Sequence, residues 1–283
     1  MRIIGPLRFS IITPSFRQLQ WLKLCVASVA DQNVEVEHIV QDAQSDDGTQ
    51  TWLLDNPRIR AFVEKDNGMY DAINRGYSRA RGDIFAHLNC DEQYLPGALK
   101  TIGTFFSENP NIDVVFAGSI VVDRAGNYIC HKHSMLPNRF SIWWRFPVLT
   151  SSLFIRRRVI SEYGILFNSK WQAAGDVHWI LELMNKKVPM AVLDKFVATF
   201  TDTGANLGMS SIAQHENRNV SEMAPRWIKL LRPMAIAHHR LRRLLRGHFF
   251  LKKTSYSIYT LESPTSRVVF NVPKPTAVWW DRL

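Results

Sequence analysis

The chain has 283 residues, of which 46% are hydrophobic and 21% charged, with a formal net charge of +10. This is ordinary globular composition, enough for one large domain or one domain with an appendage. It excludes a membrane-spanning helix, because no run approaches the roughly 18 consecutive apolar residues that one needs. Met1 to Pro6 carries no apolar stretch with a small-residue cleavage site, so secretion is not expected and a cytoplasmic location is. The three cysteines, Cys25, Cys90 and Cys130, are widely spaced, fit a reducing compartment and make no zinc pattern.

In chain order, Phe9 to Thr13 reads as a short buried strand. Leu19 to Ala30 follows as a helix, with Leu19, Leu22, Val26 and Val29 at helical spacing. Glu37 to Val40 is a second strand running to Asp42, and Thr49 to Leu54 a helix after a polar turn. Ile59 to Val63 is a third strand, Tyr70 to Ala80 a helix and Ile84 to Leu88 a fourth strand. Pro96 stands where a helix start tolerates proline, and Ala98 to Phe106 continues that helix. This alternation predicts an α/β fold, a mostly parallel sheet with helices on both faces. Val114 to Ala117 is a further strand, and Ile120 to Ile129 a hairpin turning at Asp123 to Asn127. Later come a helix ending at Gly164, another over Val177 to Met184, a strand over Ala191 to Thr201, and two helical stretches divided by Pro233. The expected organisation is residues 1–205 as the α/β domain and 206–283 as a basic helical C-terminal extension.

The positive charge is concentrated in that extension. Nine lysines and arginines lie between Arg226 and Lys253, with no Asp or Glu among them. Met234, Ala237, Leu241, Leu244 and Leu245 share one helical face, bordered by Arg240, Arg242, Arg243 and Arg246. That is the pattern of a helix lying in an anionic membrane surface, so peripheral attachment at the inner face of the cell membrane is expected rather than nucleic-acid binding; the alternative is that the apolar face packs on the α/β domain and the arginines are solvated.

Open α/β sheets bind ligands beyond the carboxyl ends of their strands, and the polar clusters fall at those ends. The strands run into Pro14-Ser-Phe16, Asp42-Ala-Gln-Ser45, Asp66-Asn-Gly68 and Asn89-Cys-Asp91. One such cluster is a turn, whereas four at one edge make a candidate site. No G-x-G-x-x-G follows the first strand, which disfavours a dinucleotide-binding dehydrogenase. Nor does that strand end in the Gly-rich signature of a sugar-phosphate nucleotidyltransferase.

These clusters resemble those of the inverting family-2 glycosyltransferases, which have the GT-A fold. Thr13-Pro-Ser-Phe16 resembles their opening strand and loop. Gln41-Asp42-Ala-Gln-Ser45-Asp-Asp47-Gly-Thr49 is similar to their D-x-x-S-x-D-G-T segment. Asp66-Asn-Gly-Met-Tyr-Asp-Ala-Ile-Asn74-Arg-Gly76 resembles the D-x-G-x-Y-D-A-x-N-x-G stretch of the branch that decorates bacterial surface polysaccharides. Leu88-Asn-Cys-Asp91-Glu-Gln-Tyr94-Leu-Pro96 resembles L-N-x-D-D-x-Y-x-P. The resemblance implies a GT-A-like domain and a nucleotide-sugar donor. Pro14 and Phe16 would line the base pocket, Asp42 would accept from the base, and Asp66, Asn74 and Asn89 would lie along the donor. Asp91 would hold a divalent metal, Mg²⁺ or Mn²⁺, with His215 as a candidate further ligand. Asn89 departs from the first acidic position of the family's D-x-D motif. Ala173-Ala-Gly-Asp176 is similar to the helix start that carries the family's general base, although a plain helix cap would read the same way. The Q-x-x-R-W motif of processive synthases is absent. The resemblance therefore implies transfer of single sugars to a glycan or lipid-linked acceptor. The alternative is a catalytically silent GT-A-like protein whose basic tail binds a membrane or nucleic acid.

Overall fold

The computed structural model describes residues 7–146 and 148–279. Strands β1 (Phe9–Ser15), β2 (Val36–Asp42), β3 (Ile59–Val63) and β4 (Ile84–His87) alternate with helices α1 (Leu19–Ala30), α2 (Thr49–Leu54) and α3 (Met69–Arg79). Then come β5 (Glu92–Tyr94), α4 (Ala98–Glu108), β6 (Val114–Asp123), β7 (Tyr128–Lys132) and β8 (Leu153–Arg156). The remaining elements are α5 (Arg158–Ser161), α6 (Gly175–Asn185), β9 (Met190–Asp202), α7 (Ser211–Glu222), α8 (Arg226–Leu230), α9 (Arg232–Leu245), β10 (Thr254–Ile258) and β11 (Val268–Val272).

The main sheet runs β3-β2-β1-β4-β8-β6-β9-β5, with β7 against β6. The first four strands of that order are parallel neighbours, as βαβ crossovers require, and β6 is parallel to β9. The antiparallel members are the later β8, β7 and β5.

Strict alternation along the strands builds two cores. Phe9, Ile11, Ile84, Ala86, Val115, Ala117 and Phe154 face α1 and α4. Ile12, Phe85, Val114, Phe116, Leu153 and Ile155 face α3 and α6. The helices thus cover both faces. Gly76 shows why α3 can lie so close to β1. A Cβ added there would sit 2.4 Å from Cγ2 of Ile12.

The β10–β11 hairpin packs onto the sheet. Tyr256, Ile258 and Val272 of the β10–β11 hairpin share a core with Leu95, Ile120 and Val122. Arg267 forks onto Asp31 at the end of α1, with 2.5 and 2.8 Å contacts, and Tyr259 Oη donates to the same carboxylate.

The close approach of α3 to β1 yields a prediction. Gly76→Ala should lower stability by about 1–3 kcal/mol, the usual cost of overpacking. Urea unfolding should show a lower midpoint with an unchanged slope. An unchanged midpoint would mean that α3 moves freely on β1.

Candidate active site

In-register pairing sets Ser15, Asp42 and Val63 abreast at the carboxyl ends of β1, β2 and β3. Asp42 is fully buried. Its carboxylate accepts from the Ser45 backbone N–H at 2.8 Å and from Ser45 Oγ at 2.7 Å. This explains the D-x-x-S spacing: the serine closes a turn on the strand-end aspartate. Pro14 lies in register with Gln41 on β2. Phe16 is 53% exposed, with the Arg17 guanidinium 5.0 Å above its ring. Arg17 is itself forked onto Asp46 by two 2.7 Å contacts.

Asp66 is half-buried and accepts from Gly68 N–H at 2.9 Å; burial pushes its carboxyl above the ordinary carboxylate range. Asn74 makes a double clamp. Its Nδ2 donates to the Phe167 carbonyl at 2.7 Å, and its Oδ1 accepts from Phe167 N–H at 2.9 Å. Both ends of its amide are thus engaged in holding α3 to the segment before α6.

Beyond β4, Asn89 N–H donates to Glu92, whose carboxyl is buried and pushed up to about 8 by desolvation and by the Asp91 charge. Desolvation also pushes Asp91 up to about 6, and its Oδ2 accepts from Asn206 Nδ2 at 3.1 Å. Asn89 Oδ1 is buried with no partner. A desolvated carboxylate beside an orphaned amide oxygen is a donor set that fits a hard divalent cation. Among the described residues no group of three or more His, Cys, Asp or Glu is arranged to hold a metal ion. Diphosphate oxygens and water would complete the coordination, as such cations usually require. His215 lies on α7, exposed.

Asp176 stands in the first turn of α6, one residue past the helix's first position and two past its N-cap, Ala174. It keeps an edge open to solvent, while desolvation by the surrounding protein pushes its carboxyl up to about 7. Its Oδ1 accepts from Val177 N–H at 2.8 Å. Tyr70 Oη accepts from Asp176 N–H and donates to the Ala173 carbonyl, both at 3.2 Å. The Tyr70 ring lies where a Cβ on Gly175 would come within 2.7 Å of it, so only glycine lets the helix start this close. Behind Tyr70, Phe167 and Trp179 continue a stack with centroids 5.0 and 5.2 Å apart.

Two residues of the site have no local signature. Asn206 reaches Asp91 across 115 residues. Glu216, buried on α7, accepts from the backbone N–H groups of Gln172, Ala173 and Ala174, each at 2.8 Å. The segment after β9 therefore contacts Asp91 at one end and the turn that precedes Asp176 at the other. The available signals were the polar turn Thr203-Gly-Ala-Asn206 and the cap Ser210, whose Oγ accepts from Ala213 N–H.

Residues 10–164 match Glycosyl transferase family 2. The match spans more than half of the chain, and the protein belongs to that family. Over 127 residues it is 29% identical to the GalNAc(5)-diNAcBac-PP-undecaprenol beta-1,3-glucosyltransferase of Campylobacter jejuni, covering 42% of this chain and 40% of that one. The S. aureus TarS fragment 1–349, solved with UDP-GlcNAc, shares the fold with a TM-score of 0.62 at 18% identity, over 76% of this chain and 64% of that one. The mannosyltransferase PcManGT from Pyrobaculum calidifontis, solved with GDP-Man and Mn²⁺, superposes with a TM-score of 0.54 at 16% identity, over 76% of this chain and 61% of that one. The GT-A-like fold is thereby established.

Glu216 acts on Asp176 both mechanically and electrically, since its negative charge raises the Asp176 carboxyl further. Glu216→Gln should lower kcat with donor KM little changed. It should also move the acid limb of kcat/KM to lower pH, because a neutral neighbour no longer opposes ionisation of Asp176. An unmoved limb with unchanged kcat would make Glu216 a stability residue alone.

Proposed function

We propose that the protein transfers one sugar at a time from a nucleotide-sugar donor to a hydroxyl of a glycan or lipid-linked acceptor, inverting the anomeric carbon. The observation that carries this reading is a division of labour between two desolvated carboxylates on different elements. Asp91, at the sheet edge, has the surroundings of a cation and diphosphate site. Asp176, on a helix start, has a carboxyl poised near neutral pH and an open edge.

In the proposed reaction the acceptor oxygen attacks the anomeric carbon on the face opposite the diphosphate. Its proton passes to the Asp176 carboxylate as the new C–O bond forms. The bond from the anomeric carbon to the phosphate oxygen breaks, and the diphosphate leaves with the electron pair. A cation bound by Asp91 and Asn89 would neutralise the charge that accumulates on that diphosphate. Phe16 and Pro14 would hold the base, and Asp66 would face the donor; Asp42, buried and engaged at both oxygens by Ser45, would shape the base pocket by closing that turn rather than accept from the base as the resemblance implied. Asn74 would act by positioning the Phe167 segment. His215 is not needed for this assignment. A catalytically silent protein would have no use for a base-competent carboxyl held in place by Tyr70 and Glu216.

The assignment makes two checkable statements. Asp176→Asn should leave donor binding intact, lower turnover by about 10²- to 10⁴-fold, and abolish an acid limb of kcat/KM near pH 7. Below that pH the wild-type carboxyl is protonated and cannot take the acceptor's proton, so wild-type activity should fall about tenfold per unit. Near wild-type turnover in the variant would reduce Asp176 to a first-turn hydrogen-bond acceptor. Asp91→Ala should abolish Mn²⁺-dependent binding of a nucleoside diphosphate in calorimetry while the fold is kept. Unchanged affinity would remove Asp91 from the site.

A further inference from the structure

The apolar stripe of α9 does not pack on the domain. Helix α9 buries the opposite side, through Ala235 and His239. Met234, Leu241 and Leu245 are 60%, 52% and 77% exposed, and Leu230 and Trp227 of α8 are 83% and 59% exposed. Phe250, just beyond α9, is 74% exposed. An amphipathic helix in a globular protein normally turns its apolar arc inward. Here the arc is turned out, and further exposed apolar side chains stand on either side of it in the chain, on α8 and at Phe250. Patches of this extent mark interaction sites.

The charge around the patch is of one sign. Arg226, Lys229, Arg240 and Arg246 are exposed, and no Asp or Glu occurs between Met223 and Leu261. Arg242 and Arg243 are different. They turn inward, donating to the carbonyls of Leu136 and Ala277, and Arg243 lies over Phe249. They anchor the helix, so the cations free to meet a partner are those on α8 and at the flanks and end of α9.

We propose that the outward face of α8 and α9, continued to Phe250, docks on an anionic lipid surface. Its apolar side chains enter the boundary between headgroups and acyl chains, and the flanking cations meet the headgroup phosphates. The combination selects lipid. A second copy of the chain would bring the same positive rim against itself. A nucleic acid would satisfy the cations but leave the leucines and Trp227 in water. No helix among the described residues is long and apolar enough to cross a membrane, so attachment would be peripheral. Helix α8 follows α7, which carries Glu216 and thereby fixes the start of α6. Docking would hold the domain, with the α6 start that α7 braces, at the membrane in which a lipid-linked acceptor would sit. That last step rests on the transfer reading above, whereas the docking does not.

Co-sedimentation of the full chain with vesicles tests this, using phosphatidylcholine alone or mixed with phosphatidylglycerol. The protein should sediment with the mixed vesicles only. The bound fraction should fall between about 0.1 M and about 1 M salt, as the screening length shrinks from about 10 Å to about 3 Å. Each basic residue near an anionic leaflet multiplies partitioning by about fivefold. The combined variant Arg226→Gln, Lys229→Gln, Arg240→Gln, Arg246→Gln should then lose a hundredfold or more, with its melting midpoint and nucleoside diphosphate binding unchanged. A second variant, Leu230→Gln with Leu241→Gln and Leu245→Gln, should keep only weak binding that salt removes. Three outcomes would overturn the proposal. One is equal partitioning of the wild type and the charge variant. Another is a wild type that ignores anionic vesicles but dimerises through this face, with the leucine variant monomeric. The third is tight retention by duplex DNA without vesicle binding. A failure of the transfer reading would appear instead as absent nucleotide binding with vesicle partitioning intact.

Discussion

The Glu216 carboxylate decides where α6 can begin. It is buried, so its charge must be matched by donors, and the donors it finds are three successive backbone N–H groups at 172–174. Hydrogen bonds to a charged group contribute about 1.5–3 kcal/mol each, and losing this acceptor would leave three donors unsatisfied together. The segment before α6 is therefore held in one conformation, and the Tyr70 hydroxyl fixes the same turn from the other side. The placement of Asp176 follows from these two contacts rather than from helix propensity.

The same stretch of chain, leaving β9, passes Asp91 before it reaches Glu216. Asn206 donates to Asp91 and to the Thr201 carbonyl, and its Oδ1 accepts from Thr203. One connection thus reaches from the Asp91 carboxylate to the turn that precedes Asp176. A displacement near Asp91 has a covalent route to the start of α6 through the residues from Asn206 to Glu216. Both carboxyls are raised by desolvation, and the consequences differ. At Asp91 a bound cation would relieve the cost of ionisation. At Asp176 the cost persists and keeps the carboxyl raised to about 7.

Much of this architecture is legible in the sequence, and the exceptions have physical reasons. Strands β1 and β4 are buried on both faces and stand out by their apolar residues, β2 is buried over its second half, and the edge strand β3 is marked by the turn residues that bound it. Strand β5 has three residues and β8 four, too few for a period to show. Strands β10 and β11 alternate over five residues each and are joined by a longer connection, so neither half specifies the other. Helix α7 carries only Ala213, Glu216 and Val220 as buried positions, one of them charged. Asp42, Asp91 and Asp176 stand out because strand-end and helix-start motifs surround them. Asn206 and Glu216 act through partners 115 and more than 40 residues away, which no local pattern encodes. The outward turn of the α9 stripe is likewise invisible in a periodicity. The pattern gives the arc, and only packing shows which way it faces.

The central claim is a single displacement in which Asp176 takes the proton and no residue bonds to the sugar. Product stereochemistry reports on this directly. With a nucleotide α-sugar chosen by a thermal-shift screen of UDP-, GDP- and dTDP-sugars, the product's anomeric proton should be read by NMR at early conversion. The account predicts a β-linked product. An α-linked product from the same donor would contradict it, because retention requires a second displacement or an attack on the departing group's own face.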